Sequence, residues 1–332
     1  MKILVENSTW NNVGDGFYQT ALFAMIKDLY PEHEVYMEEG PTNRAFRVKG
    51  RRKSNFFHLM DYQDADVHIF SGPMIRQILT NYKEKIETIK KKGNAYMLIS
   101  VSGVGGTEAL RRETGEFLRK HPPLLLSSRD EETYNRYKDD VPQSYNGICA
   151  AFLVNRLPVD QITPGFPFFI SSFYRELEPI YHTNGTVSLE NLLLNRKKTF
   201  FNLPHDYSRH LNFLRPQQEK VGEHRIVRVH QDLSTHYYHI KFSHPNSFMS
   251  FNPLSYLALY KSADFTVSDR VHSCAASLAF GKPARLFTSS PRAGIFDRLG
   301  IDYKTNNGIM KPNLAIIDEE MVKLQNVIKR TL

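Results

Sequence analysis

Short apolar runs alternate with amphipathic stretches along the first half of the chain. KILVEN (2–7) reads as a buried strand. After the glycine turn NNVGDG (11–16), Phe17, Leu22, Met25, Ile26 and Leu29 recur at helical spacing until Pro31 closes the segment. HEVYME (33–38), DVHIF (66–70), AYMLISVS (95–102) and PLLLSSRD (123–130) supply further strands. Between them, PMIRQILTNYKEKIETIKKKG (73–93) and TEALRRETGEFLRKH (107–121) have helical periodicity, the first ending in lysines and a capping glycine, the second opening on the N-cap candidate Thr107. Strands alternating with helices predict a parallel sheet covered on both faces.

From about residue 158 the pattern changes, with prolines at 158, 164 and 167 before FFISSFYRE (168–176) opens a new strand. Residues 181–222 are polar and aromatic without a clear period and read as an elaborated connection, with a helix expected near SLENLLLN (188–195). Order returns in strand RIVRVHQD (225–232) and in NPLSYLALYKS (252–262), where Asn252 is the expected N-cap and Pro253 takes the first helical position. Strand DFTVS (264–268), a small-residue helix over 272–280 and strand ARLFT (284–288) follow. DEEMVKLQNVIKRTL (318–332) forms an amphipathic helix with Met321, Leu324, Val327 and Ile328 on one face. The predicted organisation is two domains, 1–160 and 161–315, with a C-terminal helix at 316–332.

Composition adds limits. A chain of 332 residues with 41% hydrophobic and 23% charged side chains can bury substantial cores. MKILVEN, with a single lysine and a brief apolar run, does not have the make-up of a secretory signal, and no long apolar stretch follows, so a cytoplasmic protein with at most peripheral membrane contact is expected. Cys149 and Cys274 give neither a disulfide framework nor a zinc spacing and read as packing residues; no metal site is expected. A net charge of +8 favours anionic partners without choosing among phosphorylated metabolites, anionic glycans, lipid headgroups and nucleic acid. The basic runs RVKGRRK (47–53) and KKK (90–92) read first as solvated faces.

Chemistry concentrates at strand ends. In NNVGDG, Gly14 and Gly16 permit close backbone approach, the helix start attracts an anion or a sugar oxygen, and Asp15 beside it is suited to accept a hydrogen bond from a hydroxyl. G-x-G-x-x-G is absent, which argues against a dinucleotide site. VSGVGGTEA (101–109) is a second glycine turn, Arg129 and Asp130 end a buried strand, and His230 and Asp232 end another. SDRVHSC (268–274) places Arg270 and His272 where a buried strand meets a helix of small residues; two apart in extended chain, they can face one point. The positive helix end lowers the pKa of His272 until an anion binds and reverses the effect, so a bound phosphate makes the imidazole a general acid. Arg270 offers a planar fork for phosphate or carboxylate.

SDRVHSCAASLAFGKPARLF, with strand SADFTVS before it, resembles the C-terminal signature of polysaccharide pyruvyl transferases. NNVGDGFYQTAL is similar to that family's Asn-x-Gly-Asp turn, carried here by Asn12, Gly14 and Asp15, and SSRDEETYNRY resembles its Arg-Asp strand end. The resemblance implies an α/β fold of two Rossmann-like domains facing a cleft, like the GT-B glycosyltransferases, with a C-terminal helix that commonly crosses back to the first domain. It implies transfer of the carboxyvinyl unit of phosphoenolpyruvate, a co-substrate rather than a cofactor, to two hydroxyls of a sugar as a pyruvate ketal. On this reading His272 donates a proton to the methylene carbon and Asp15 positions or deprotonates the acceptor. Arg270, Ser273 and Arg175, the last by its match to a family strand-end arginine, hold the donor. Asn12, Gly14, Gly16, Arg129 and His230 bind the acceptor or line the cleft.

The chain departs from the family where FSGPMI (70–75) keeps only Gly72 of a usual glycine-rich turn, and residues 181–222 have no counterpart. The acceptor stays open among free, nucleotide-linked, lipid-linked and polymeric sugars, and so does the oligomeric state. Three rivals share the pattern. A nucleotide-sugar glycosyltransferase would use the same fold, although Asp64 and Asp66 precede their strand rather than end it. A nucleic-acid binder would use the charge, but no recognition motif supports specific nucleic-acid binding. The third is a non-catalytic relative that binds sugar or anion.

Overall fold

In the computed structural model, residues 1–7, 10–39, 62–174, 176–195, 218–232, 244–287 and 290–332 are described. The first sheet takes strands β1 (Lys2–Asn7), β2 (Glu34–Glu39), β3 (Val67–Gly72), β4 (Ala95–Val101), β5 (Leu126–Ser128) and β6 (Ser144–Asn146) in the order β2-β1-β3-β4-β5-β6. Every neighbouring pair is parallel. β1 and β3 are buried almost throughout, as strands covered on both faces must be. Helices α1 (Val13–Leu29), α2 (Lys83–Lys91), α3 (Glu108–Lys120) and α4 (Glu131–Tyr137) make the crossovers.

The second sheet contains β7 (Phe168–Ser172), β10 (Lys220–Val221), β11 (His224–Val229), β12 (Ser247–Phe248), β13 (Thr266–Ser268), β14 (Ala284–Leu286) and β15 (Ile309–Met310). Its order is β10-β11-β7-β13-β14-β15, with β12 beside β11. The central strands β11, β7, β13 and β14 run parallel and the edge strands β10 and β15 antiparallel. Helices α5 (Pro253–Ser262) and α6 (Val271–Ala279) connect them, and α7 (Leu314–Thr331) ends the chain. Asn252 caps α5 by accepting from the Leu254 N–H, and Thr107 caps α3 by accepting from the Leu110 N–H.

One hydrophobic core joins the two sheets. Val13, Phe17 and Leu22 of α1, Tyr256 and Tyr260 of α5, Cys274 and Leu278 of α6, and Leu324 and Ile328 of α7 belong to the same buried cluster. Phe17 sits edge-on to Tyr260, with ring centroids 5.8 Å apart. The 3-10 segment Ala150–Arg156 crosses between the sheets and packs against α1 and α6. α7 returns to the start of the chain, where the Tyr30 hydroxyl after α1 donates to the Ile328 carbonyl at 3.1 Å.

Three local expectations change. SLENLLLN is not a helix: Leu192–Asn195 forms a strand, β9, paired antiparallel with β8 (Ile180–Thr183), because Leu192 is drawn into the small core under the second sheet while Leu193 faces out. Residues 73–93 are helical but not uniformly so, passing through 3-10 (Pro73–Gln77) and π (Ile78–Tyr82) turns before α2. Helix α1 starts at Val13 rather than Phe17, so Gly14, Asp15 and Gly16 lie in its first turn. Docking explains the early start. A Cβ on Gly16 would come within 2.5 Å of Pro253 Cγ, and one on Gly14 within 2.9 Å of Gln231 Oε1. The run RVKGRRK lies outside the described residues.

Candidate active site

The site forms where the carboxyl ends of the two parallel sheets meet. Asn12 takes the N-cap position of α1 in extended conformation, yet its side chain makes no capping bond to its own helix. Its Oδ1 accepts instead from the Arg270 guanidinium at 2.9 Å. The end of β11 replaces part of the cap: the Gln231 carbonyl accepts the Val13 N–H at 2.8 Å, and Asp232 pairs with Asn12 as an antiparallel bridge. The first turn of α1 is thereby held against the second sheet.

Arg270 is the extended residue before α6, and the Ser268 hydroxyl accepts its N–H at 2.9 Å. Its guanidinium lies over the Tyr174 ring, 4.1 Å from the centroid. The loop carrying Tyr174 is itself clamped: Asp269 accepts the Tyr174 N–H with both carboxylate oxygens at 3.0 Å and the Glu176 N–H at 2.8 Å. Arg175, between these two residues, lies outside the described residues.

His272 follows in the first turn of α6, its side chain 14% exposed. Nδ1 lies 3.9 Å from Asp15 Oδ1, and Nε2 lies 3.4 Å from the Arg129 guanidinium. An arginine only donates, so Nε2 is the unprotonated nitrogen in this arrangement and Nδ1 carries the hydrogen, facing Gly14 and Asp15. Tyr18, one turn along α1 from Asp15, sets its ring edge-on to the imidazole with centroids 5.1 Å apart. Burial, then the positive charges of Arg129, Arg292 and Arg270, hold the His272 pKa well below its usual value, and a hydrogen bond with the Gly14 backbone opposes them only in part. The resting imidazole is neutral and ringed by cations.

The small residues of α6 set this distance. Ser273, Cys274, Ala275, Ala276, Ser277 and Ala279 are all buried, letting the helix lie close to the sheet and to α1. Burial pushes the Cys274 thiol well up, in keeping with a neutral packing group. Cys149 is likewise buried, 4.0 Å from the Arg129 guanidinium.

Asn12, Gly14, Asp15, Arg129, Arg270 and His272 thus come together. Ser273 is fully buried and its hydroxyl faces inward, accepting from Gln231 Nε2 at 2.8 Å and from the Tyr260 hydroxyl at 2.9 Å, so only its backbone at the helix start remains for a ligand. Gly16 meets Trp10 and Pro253, a packing contact. His230 turns toward Ser247 Oγ at 3.3 Å and the His244 ring, while the adjacent Gln231 faces α5 and α6. Asp130 caps α4 by accepting the Thr133 N–H at 2.8 Å. Asp66 accepts the Lys2 N–H at 2.7 Å and Asp64 pairs with Lys92 at 3.5 Å, contacts that account for both carboxylates structurally. Among the described residues no three His, Cys, Asp or Glu side chains gather as metal ligands. No described helix is long and apolar enough to cross a membrane.

Sequence reading missed Tyr18, Tyr174, Gln231, Asp269 and Arg292. Strand alternation was the available signal for Gln231, because adjacent residues at a strand end face opposite sides. Asp269 after β13 clamps the loop carrying Tyr174 after the adjacent strand β7, a contact between segments 95 residues apart in sequence that no local pattern records.

A family model described as Polysaccharide pyruvyl transferase matches residues 12–291. Among curated proteins none matches the chain. Among solved structures, a putative UDP-N-acetylglucosamine 2-epimerase from Listeria monocytogenes aligns with TM-score 0.52 and 10% identity, covering 100% of this chain and 89% of that one. The UDP-GlcNAc 2-epimerase from Methanocaldococcus jannaschii, in complex with UDP-GlcNAc and UDP, aligns with TM-score 0.52 and 9% identity over 98% and 92% of the two chains. That from Neisseria meningitidis, bound to UDP-GlcNAc, aligns with TM-score 0.50 and 11% identity over 99% and 100%. At such identities the likeness is one of fold: two Rossmann-like units in a GT-B-like arrangement.

Proposed function

Because the chain belongs to the polysaccharide pyruvyl transferase family, we propose that it moves the carboxyvinyl group of phosphoenolpyruvate onto two hydroxyls of a sugar, forming a pyruvate ketal and releasing phosphate. The observation that carries this reading is the neutral, mostly buried His272 facing the charges of Arg129, Arg270 and Arg292. Such a site is poised for a small ligand with several negative charges. Phosphate and carboxylate together supply that charge, and either fits the planar fork of an arginine.

Binding of the anion neutralises the field that keeps His272 unprotonated. As Arg129 turns from Nε2 to the ligand, Nε2 becomes the site that takes up a proton. The imidazolium then gives that proton to the methylene carbon of the donor. The carbon bearing the phosphate becomes electrophilic, a sugar hydroxyl attacks it, and the hydroxyl proton leaves to a base. Asp15, buried at the start of α1, is the carboxylate positioned to orient that hydroxyl or receive its proton. Loss of phosphate regenerates an electrophilic carbon, and a second hydroxyl closes the ring as its proton passes to the departing phosphate. Arg270, braced by Asn12 and Tyr174, anchors the donor from the other side.

The test is release of phosphate from phosphoenolpyruvate in the presence and absence of a panel of methyl glycosides. Acceptor-dependent release, abolished in His272→Ala, supports the reading. Release at the parent rate in His272→Ala removes the proton-donor role. A rise in melting temperature with a UDP-sugar and none with phosphoenolpyruvate moves the assignment to nucleotide-sugar chemistry.

A further inference from the structure

A second polar feature shares Tyr18 with the histidine site. Glu6 and Asn7 at the end of β1, Ser71 near the end of β3, and Gln77 after it line a small recess with Tyr18, Gln19 and Tyr82. Its inner space is about 10 Å³, the room one water-sized group takes. Glu6, Asn7 and Ser71 are only 4%, 7% and 7% exposed. Among the described residues Glu6 Oε2, Asn7 Oδ1 and Ser71 Oγ have no hydrogen-bond partner. Buried polar atoms are normally satisfied, and three unmet in one recess point to a guest.

The chemistry of the recess narrows the guest. The other Glu6 oxygen, Oε1, already takes His68 Nδ1 at 2.7 Å and Lys85 Nζ at 3.2 Å, so the carboxylate charge is compensated from behind. Two of the unmet atoms only accept and the third, a hydroxyl, both donates and accepts. A neutral hydroxyl therefore fits: it donates to Glu6 or Asn7 and accepts from Ser71. An acetamido group is too large for the space. The recess also shares its framework with the histidine site. Tyr18 borders both, and Gln19 holds the Trp10 indole N–H at 2.7 Å in the same connection that presents Asn12 to Arg270.

We infer that this recess is a specificity subsite that takes one free hydroxyl of the acceptor sugar, a hydroxyl other than the pair joined to the pyruvyl carbon. The inference rests on the proposed sugar-acceptor function, and it assigns Glu6, Asn7 and Ser71 as the residues that orient the sugar.

Glu6 is tied to His68 and Lys85, so Ser71 is the side chain to change. Ser71→Ala removes one unmet atom, and Ser71→Val fills the recess with carbon. Ligand-observed NMR measures binding of a panel of methyl glycosides, including methyl glucosaminide and methyl N-acetylglucosaminide, without phosphoenolpyruvate. A thermal-shift titration with phosphoenolpyruvate alone is run beside it. The expected result is that at least one neutral methyl glycoside binds the parent protein, about 2- to 10-fold more weakly in Ser71→Ala and at least tenfold more weakly in Ser71→Val, while both variants keep the parent's response to phosphoenolpyruvate. Equal glycoside binding by parent and Ser71→Val, or no glycoside binding by the parent, overturns the inference. Binding of the amino sugar alone overturns the hydroxyl assignment. Glycoside binding that depends on Ser71, in a protein that ignores phosphoenolpyruvate, keeps the subsite and rejects the donor.

Discussion

Arg129 and His272 meet across the two sheets: the guanidinium at the end of β5 lies 3.4 Å from Nε2 of an imidazole in the first turn of α6. Arg129 is 3% exposed and charged, so the contact places a fixed cation against a group that must itself become a cation to act as an acid. That opposition has a thermodynamic signature. The unfolded chain protonates residue 272 as the pH falls through about 6.5, whereas the folded protein, with the pKa held well below that value, does not. The unfolded state then binds more protons. Stability contributed by a neutral His272 is fully present above the unfolded pKa and is lost as pH falls from there toward the folded pKa, by up to about 1.4 kcal/mol per pH unit. Melting curves between about pH 7.5 and 5.5 (a range of about one unit on either side of the free histidine pKa) should fall less steeply for His272→Gln than for the parent. Identical profiles would mean that the imidazole is not held neutral by its surroundings.

The same relationship predicts proton uptake on donor binding. If anion binding relieves the field of Arg129, Arg292 and Arg270, His272 takes up as much as one proton at neutral pH. Calorimetric titration of phosphoenolpyruvate in two buffers of different ionisation enthalpy reads that proton directly. Uptake should disappear in His272→Gln while binding persists; uptake unchanged in the variant assigns the proton elsewhere.

Arg270 makes two different contacts, an in-plane hydrogen bond to Asn12 and a face contact with Tyr174. Lysine reproduces the charge but neither geometry. Arg270→Lys is therefore expected to behave more like Arg270→Ala than like the parent, with donor KM raised at least about tenfold, the scale of a lost charge-assisted hydrogen bond. A lysine variant with parent kinetics would reduce the role of Arg270 to charge alone.

The sequence carried much of this arrangement, and its failures have physical causes. The central strands of both sheets were legible because buried strands are largely apolar runs, whereas the short strands β6, β10, β12 and β15 carry too few residues to show a pattern; Asn252 and Thr107 were legible because capping is a local bond. Arg270, His272 and Asp15 were legible because glycine- and small-residue-rich strand-to-helix junctions leave few places for charged groups, and Asn12 through the resemblance to the family's Asn-x-Gly-Asp turn. SLENLLLN was read as a helix because its leucines are contiguous, and a contiguous apolar run has no period to separate helix from hairpin. The early start of α1 was hidden because glycine disfavours helix locally, and only docking on Pro253 and Gln231 explains two glycines in a first turn. Ser273 looked like a ligand residue by position. Its inward orientation depends on Gln231 and Tyr260, both remote in sequence.

Ser273 offers a direct separation of scaffold from site. Its hydroxyl accepts from both Gln231 and Tyr260 in a buried setting where Gln231 Oε1 has no partner among the described residues. Ser273→Ala leaves Gln231 Nε2 with only the Tyr260 hydroxyl, at 2.7 Å. A loss of about 1–3 kcal/mol of stability is expected, read by urea denaturation, with donor KM changed less than about threefold. A large KM effect with unchanged stability would return the hydroxyl to the donor site.

Gly16 tests whether the first turn of α1 must lie against the second sheet. In an ordinary helix Gly→Ala is stabilising, by up to about 1 kcal/mol, because alanine restricts the unfolded chain and prefers helix. Here the added methyl would stand 2.5 Å from Pro253 Cγ and 3.1 Å from the Trp10 ring. Pro253 begins α5 and has a rigid ring, so relief requires α1 and α5 to separate. Overpacking of this kind costs about 1–3 kcal/mol, which exceeds the propensity gain and reverses its sign. Gly16→Ala should therefore destabilise the protein. It should also depress turnover, because the same movement carries Asp15 and Tyr18 away from His272 and Asn12 away from Arg270. A Gly16→Ala protein that is more stable than the parent and equally active would show that the contact between α1 and α5 yields at no cost to the site.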